Sequence, residues 1–269
     1  MSLELFVPHA GDHAIQNVAF GVEWEGVLPP EAFAGIEQAL RASQIKDLGE
    51  KKEINSVKVE FGPEGSRAAQ ELGGYVFEWR AGSVVTRTFH VGQNQLIVAN
   101  HSYTRWDQVW ADAKRFLAVA LPVLERFKKI TSLGLQYVDV FVWKGNPDQF
   151  PTQEIFRREC SVLPRSTLNN TDLWHVHQGA FSHKDSPVPC KQLDAFNVDV
   201  LDAEGFRRLQ IVSAHRSIFK AAQSPTYLAE NDAANSLAVM TALHAANKKF
   251  LSELLSDKVC NSIKLKESS

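Results

Sequence analysis

The chain has 269 residues, of which 44% are hydrophobic and 22% charged, and its formal net charge is −2. A globular chain of this composition can bury a core without disulfides or metals. The near-neutral charge argues against a general polyanion binder, which carries a strong basic excess. The three cysteines are far apart and include no C-x-x-C pair, which argues against a thiolate zinc site.

The N-terminal residues do not form the basic and then apolar pattern of a signal peptide. The longest apolar run, Phe116 to Leu124, is far shorter than the roughly 20 residues that cross a bilayer. We therefore expect a cytoplasmic protein without a membrane partner.

The first half of the chain predicts a strand, a helix and then a meander. Residues 14–25 alternate apolar and polar side chains, as a half-buried strand does. Pro29 and Pro30 open a helix that runs to about Ile45. Short turns separate the next apolar runs and predict antiparallel strands at 54–61, 73–81, 83–91 and 94–101.

A long amphipathic helix follows at about 105–129. Thr104 and Asp107 have the spacing of a capping box at its start. Pro122 is predicted to kink this helix or to end it early, because proline cannot donate to the helical ladder.

The second half predicts a similar series. A strand at 133–143 precedes a proline-containing segment with one short helix near 154–159. Asp232 or Asn235 is predicted to start the final helix, which spans about 233–256. Between these helices we expect strands at 171–181, 192–202 and 206–217, the last two joined by a hairpin turn at Asp202–Gly205.

The two halves contain one motif twice. Residues 18–33 and 138–156 each read as an apolar strand, then Trp-x-Gly, then Pro and Phe, with Trp24 and Trp143 in matching positions. We predict an α+β protein of two related halves, 1–130 and 131–269, that form one compact structural unit. The expected arrangement is a curved antiparallel sheet with two long helices packed on one face. Its element order resembles the TATA-box-binding protein repeat and, more loosely, the helix-grip fold.

The chain lacks the glycine-rich phosphate loops and the common hydrolase motifs. The strongest remaining cluster is His175 and His177, whose i, i+2 spacing places both imidazoles on one face of a strand. Asp199 on a neighbouring strand and His183 further along would extend this pair toward a metal site. The simpler interpretation is that the two histidines are surface residues alternating with core residues.

Arginines on strands form a second group of candidates. Guanidinium groups on a sheet face can bind a carboxylate or phosphate, although cross-strand ion pairs also explain them. With the histidines, the candidate ligand-binding residues are Arg80, Arg87, His90, His175, His177, Asp199 and Arg216. We predict no catalytic residue and no cofactor.

Three segments resemble a sporadically distributed bacterial family of conserved hypothetical proteins of similar length. They are the helix start Tyr103–Trp106, the strand Gly134–Asp139, and Leu243-His244 with Phe250 in the last helix. Gln136 and Asp139 stand where that family has Arg and Asn. The resemblance implies a shared fold and no particular activity.

We expect a non-catalytic binding protein that holds a protein segment or a small ligand on an open sheet face. It would act as an accessory or antitoxin-like partner in a bacterial operon. One alternative is a metal-dependent or acid/base enzyme that uses His175, His177 and Asp199. Another is a saddle that binds nucleic acid, against which the near-neutral charge argues.

Overall fold

The structure, a computed structural model, describes residues 3–45, 47–62, 65–223 and 234–265. Its strands are β1 (Phe6–Pro8), β2 (Ile15–Trp24), β3 (Glu50–Gly62), β4 (Gly65–Ala81), β5 (Val84–Gly92), β6 (Gln95–Asn100), β7 (Ile130–Trp143), β8 (Trp174–Lys184), β9 (Cys190–Ala203) and β10 (Phe206–Gln223). Its helices are α1 (Pro30–Ala42), α2 (Trp106–Leu124), α3 (Thr152–Ile155), α4 (Arg165–Leu168), α5 (Ala234–Leu254) and α6 (Asp257–Ser262). The predicted α+β class is confirmed.

The chain divides into two compact units. The N-terminal unit comprises Ala19–Leu133 and Ala221–Leu237. The C-terminal unit comprises Gly134–Lys220 and Ala238–Ser269 together with Met1–Val18. Within the described residues, no helix is both long and apolar enough to cross a membrane.

In the N-terminal unit the strand order is β3-β4-β5-β6-β2, and the pairs β3–β4, β4–β5 and β5–β6 are antiparallel. One face of these strands is covered by α1 and α2. Tyr75 on β4 donates its hydroxyl to the Phe33 carbonyl of α1. On α2, the Phe116 ring stacks on Phe89 with ring centroids 5.6 Å apart. The aromatic rings therefore fix both helices on the same face.

In the C-terminal unit the strand order is β7-β10-β9-β8, and β1 pairs with β7. The long β9–β10 hairpin turns at Glu204 and Gly205, both of which have positive φ angles. This is the turn that the sequence predicts there. Helix α5 packs on one face, where Phe250 stacks on Phe196 of β9 at 4.8 Å between ring centroids. The hydrophobic core of this unit lies on the helix-covered face. It includes residues of β1 and α6, and Phe6 of β1 stacks on Phe141 of β7.

Three predictions about helix ends have different outcomes. The Thr104–Asp107 capping box is wrong, because Arg105 occupies the N-cap position without a side-chain hydrogen bond and the Thr104 hydroxyl donates to Gln108 instead. Pro122 does end α2 early, at Leu124. Of the two residues proposed to start the last helix, Asp232 lies outside the described residues and Asn235 lies within α5.

The two units share a topological feature. In each unit the first strand of the predicted repeat, β2 or β7, lies beside the last strand of the following series, β6 or β10. Trp24 and Trp143 are both buried, and each donates its indole N–H to a loop carbonyl, at Gln93 and Asn146 respectively. These loops are not equivalent, since Gln93 follows β5 and is distant in sequence from Trp24, whereas Asn146 lies only three residues after Trp143. The internal duplication stays a prediction.

The bulge between β3 and β4 provides a test of this packing. Gly74 has a φ of 145°, and a Cβ atom on it would lie 2.2 Å from the Val91 carbonyl oxygen of β5. We expect Gly74→Ala to lower the free energy of unfolding by about 2–4 kcal/mol, because the backbone of β5 must move. Urea denaturation measures the change. Gly179→Ala, whose Cβ would meet nothing closer than 3.5 Å, is the control, and an equal loss in both variants would contradict this packing.

Candidate functional site

The predicted residues Arg80 and His90 belong to the N-terminal unit, on the face opposite α1 and α2. Arg80 is exposed at the end of β4, where it donates to the Ser83 carbonyl and pairs with Glu78 at 2.7 Å. His90 is half-buried on β5, and burial lowers its pKa. The Arg80 guanidinium is therefore already paired with groups of the β4–β5 hairpin.

Arg87 lies on the other face of the same unit. Its Nε atom is 2.6 Å from the Asp112 carboxylate of α2, and its guanidinium lies over the rings of Trp79 and Phe116. This combination of ion pair and cation–π contact attaches β5 to α2. Arg87 is a structural residue here, and its guanidinium faces α2 and not an open sheet face.

In the C-terminal unit, the exposed face of β8 and β9 brings together the predicted His175, His177 and Asp199. His175 is directly opposite Asp199, and His177 is opposite Asn197, whose amide donates to the Asp199 carboxylate at 2.5 Å. Burial raises the pKa of Asp199, and the nearby His175 only partly opposes this effect. The four side chains form a polar row across two strands.

His183 does not join this row. It lies six residues beyond His177 on β8, which at about 3.3 Å per residue corresponds to roughly 20 Å, and it is opposite Lys191. Across the parts of the chain that the structure describes, no group of three or more His, Cys, Asp or Glu side chains is placed to hold a metal ion. Arg216 lies on the same face, opposite Leu193 on β9.

Strand β8 is the outer strand of this unit. Its outer edge has no strand partner among the described residues, and most of its side chains are exposed. Phe181 is 57% exposed, and the Lys191 ammonium lies 4.2 Å from the centre of its ring. A long edge strand that has no described strand partner and carries an exposed aromatic ring is uncommon, because such edges can pair with other chains.

The opposite, helix-covered face of the same strands contains a polar network that no sequence motif reveals. His215 of β10 is 3% exposed, and its Nδ1 lies 2.7 Å from the Asp194 carboxylate of β9. Gln192 also donates to that carboxylate, at 2.7 Å. Burial acts to raise the pKa of Asp194, but the hydrogen bonds from His215 and Gln192 outweigh it, so the pKa lies below its usual value.

The network continues into α5 through Asn247. The Asn247 Oδ1 atom accepts from the Ser213 hydroxyl at 2.5 Å and lies 3.3 Å from the His215 Nε2 atom. Both ring nitrogens of His215 therefore face oxygen atoms of neighbouring side chains. Ser213 and Asn247 are themselves fully buried. The network joins α5 to two strands.

Two more polar residues, Tyr137 and Asp139, share the helix-covered face of β7. The Tyr137 hydroxyl is 2.9 Å from the His244 Nδ1 atom of α5. Asp139 is 1% exposed, and its Oδ2 atom has no hydrogen-bond partner in the described structure. Burial raises the pKa of Asp139 to about 7. The chain thus buries one carboxyl group at an energetic cost.

The alternating pattern of β10 could have predicted the polar network around His215. In β10 the residues of the buried face are Leu209, Ile211, Ser213, His215, Ser217 and Phe219. Three consecutive polar residues at period two on an otherwise apolar face require partners across the sheet or on the covering helix. Without that periodicity, His215 stands out in the sequence only as the neighbour of Arg216.

Comparison with protein-family models finds no matching family, and comparison with curated proteins finds no matching sequence. The resemblance to the bacterial family therefore stays a prediction, and any functional assignment rests on the geometry of the sites.

The network predicts coupled stability effects. Asn247→Leu leaves the buried Ser213 hydroxyl and the His215 Nε2 atom without their partner, and each unsatisfied group costs about 1–3 kcal/mol. Ser213→Ala in the Asn247→Leu background removes one of these groups. We therefore expect the double variant to lose less stability in urea denaturation than the sum of the two single losses. Strictly additive losses would show that the two side chains do not interact.

The raised pKa of Asp139 predicts that the free energy of unfolding depends on pH. Below about pH 4 the carboxyl is protonated in both the folded and the unfolded chain. Between about pH 4 and pH 7 only the unfolded chain ionises, so the free energy of unfolding falls as the pH rises. The free energy of unfolding falls by at most about 4 kcal/mol in total, because the pKa of Asp139 is raised from 3.8 to about 7 and each pKa unit corresponds to about 1.4 kcal/mol.

Asp139→Asn should remove this contribution and stabilise the protein at about pH 8 relative to the wild type. Urea denaturation at intervals from about pH 5 to about pH 8 measures the slope. Asp148→Asn, at an exposed position in the same unit, is the control and should keep the wild-type slope. An unchanged slope in Asp139→Asn would contradict the assignment.

Proposed function

We propose that the chain is a non-catalytic binding protein whose C-terminal unit holds an extended segment of a partner protein along β8. The observation on which this depends is the outer edge of β8, which has no strand partner among the described residues. A peptide that adds a strand to such an edge binds through main-chain hydrogen bonds, and its side chains give specificity.

The exposed Phe181 supplies an apolar anchor for that segment. Its ring is 57% exposed and lies near the end of β8. Aromatic anchors of this kind contribute a large part of the binding free energy at protein interfaces. We expect one apolar side chain of the partner to cover this ring.

The charges around β8 favour an acidic partner. The positive charges are those of Lys184 and Lys191, at the same end as Phe181, and the polar His175 and His177 side chains lie toward the other end. Asp199 is the carboxylate nearest the two histidines, and Asn197 donates to it. An extended acidic segment with one apolar residue therefore fits the strand, and such a protein would act as an accessory partner, as in an operon-encoded pair.

The test is selection of binding peptides from a random extended library, followed by amide hydrogen exchange of the complex. We expect selected peptides to be acidic and to protect the amides of β8. Phe181→Ser should weaken their binding by about tenfold to a hundredfold, since burying a phenylalanine contributes about 1.5–3 kcal/mol.

Phe206→Ser is the matched control, because Phe206 is 45% exposed at the start of β10 in the same unit. It should leave peptide binding unchanged. Peptides that protect another segment, or that lose affinity equally in both variants, would reject the proposed surface.

A further inference from the structure

A groove of about 540 Å³ lies between α5 and the sheet of the C-terminal unit, separate from the outer edge of β8. Alanines on α5 form one wall and leave room that larger side chains would fill. Its apolar lining consists of Pro187, Val188, Cys190, Val239, Ala242, Ala245 and Ala246. This volume is in the range of pockets that hold small ligands.

Two buried polar side chains, Gln192 and Ser217, also line the groove. They are directly opposite each other on β9 and β10 and are 5% and 4% exposed. Gln192 is held by its hydrogen bond to Asp194. The Ser217 hydroxyl makes no hydrogen bond to any other described residue, so a ligand atom can satisfy it.

The charge of the lining is positive. Lys184, Lys248 and Lys249 line the groove, and no aspartate or glutamate does so within the described residues. Two carboxylates lie just outside the lining: that of Glu253, which is 3.8 Å from the Lys249 ammonium, and that of Asp194, which is held by His215 and Gln192. The lysine ammonium groups therefore favour a ligand with an anionic group at the end of the groove where they border the apolar wall.

We propose that this groove binds a small aliphatic carboxylate. The alkyl chain lies against the alanines of α5 and Val188, the carboxylate is held by the lysines, and the Ser217 hydroxyl donates to it. Lys184 is common to this site and to the peptide surface of β8, whereas Ser217 and the alanines of α5 belong to this site alone, so variants of α5 test it separately.

Titration calorimetry with hexanoate as the probe tests the inference. Hexanamide and hexylamine have the same chain without the negative charge. We expect hexanoate to bind with one site per chain and both analogues to bind at least about tenfold more weakly. Lys248→Gln with Lys249→Gln should weaken hexanoate binding by about tenfold or more. The exposed Lys144→Gln should not change it.

A second pair of variants tests the location. Ala246→Leu fills the groove and should abolish hexanoate binding, whereas Thr241→Leu, at an exposed position of α5 outside the lining, should leave it unchanged. Urea midpoints verify that both variants fold. Undetectable hexanoate binding to the wild type, equal binding of the three probes, or unchanged binding to Ala246→Leu would each overturn the proposal.

Discussion

The hydrogen bonds from Asp194 through His215 to Asn247 are the interaction on which the architecture of the C-terminal unit depends. They connect β9, β10 and α5, and the participating groups are almost entirely buried except for Asp194. Buried polar groups are stable only when their partners are in place, so this network admits one register and one helix position. A slip of one residue would place His215 on the exposed face and either Ala214 or Arg216 in its position.

The register determines which side chains of β8, β9 and β10 lie on the helix-covered face and which lie on the exposed face. On the covered face, the network ends at Gln192, which together with Ser217 lines a groove beside the alanines of α5. On the exposed face, the alternate residues of β8 and β9 place His175 opposite Asp199. One hydrogen-bonded register therefore explains both proposed binding surfaces, although the ligands that they suit are different.

The sequence predicts the elements well and the polar contacts poorly. Alternation of apolar residues reproduces β2, β7, β8 and β9 to within three residues at each end, because one buried face determines the pattern. Strand β10 begins at Phe206 as predicted but ends at Gln223, six residues later than predicted. The same alternation placed His175 and His177 correctly on one exposed face. The pairing of Arg87 with Asp112 could not be predicted, because Asp112 is on a helix whose position only the tertiary fold defines. The network around His215 was missed for the same reason, since Asn247 is 32 residues away along the chain.

The most direct measurement of the central claim is the ¹H–¹⁵N spectrum of the His215 ring. The hydrogen bond to Asp194 predicts a proton on Nδ1 that exchanges slowly with water, because the ring is 3% exposed. This signal should disappear or shift strongly in Asp194→Asn, while the exposed His177 ring exchanges rapidly in both proteins. A His215 ring proton that exchanges as rapidly as that of His177, or that is unaffected by Asp194→Asn, would contradict the account.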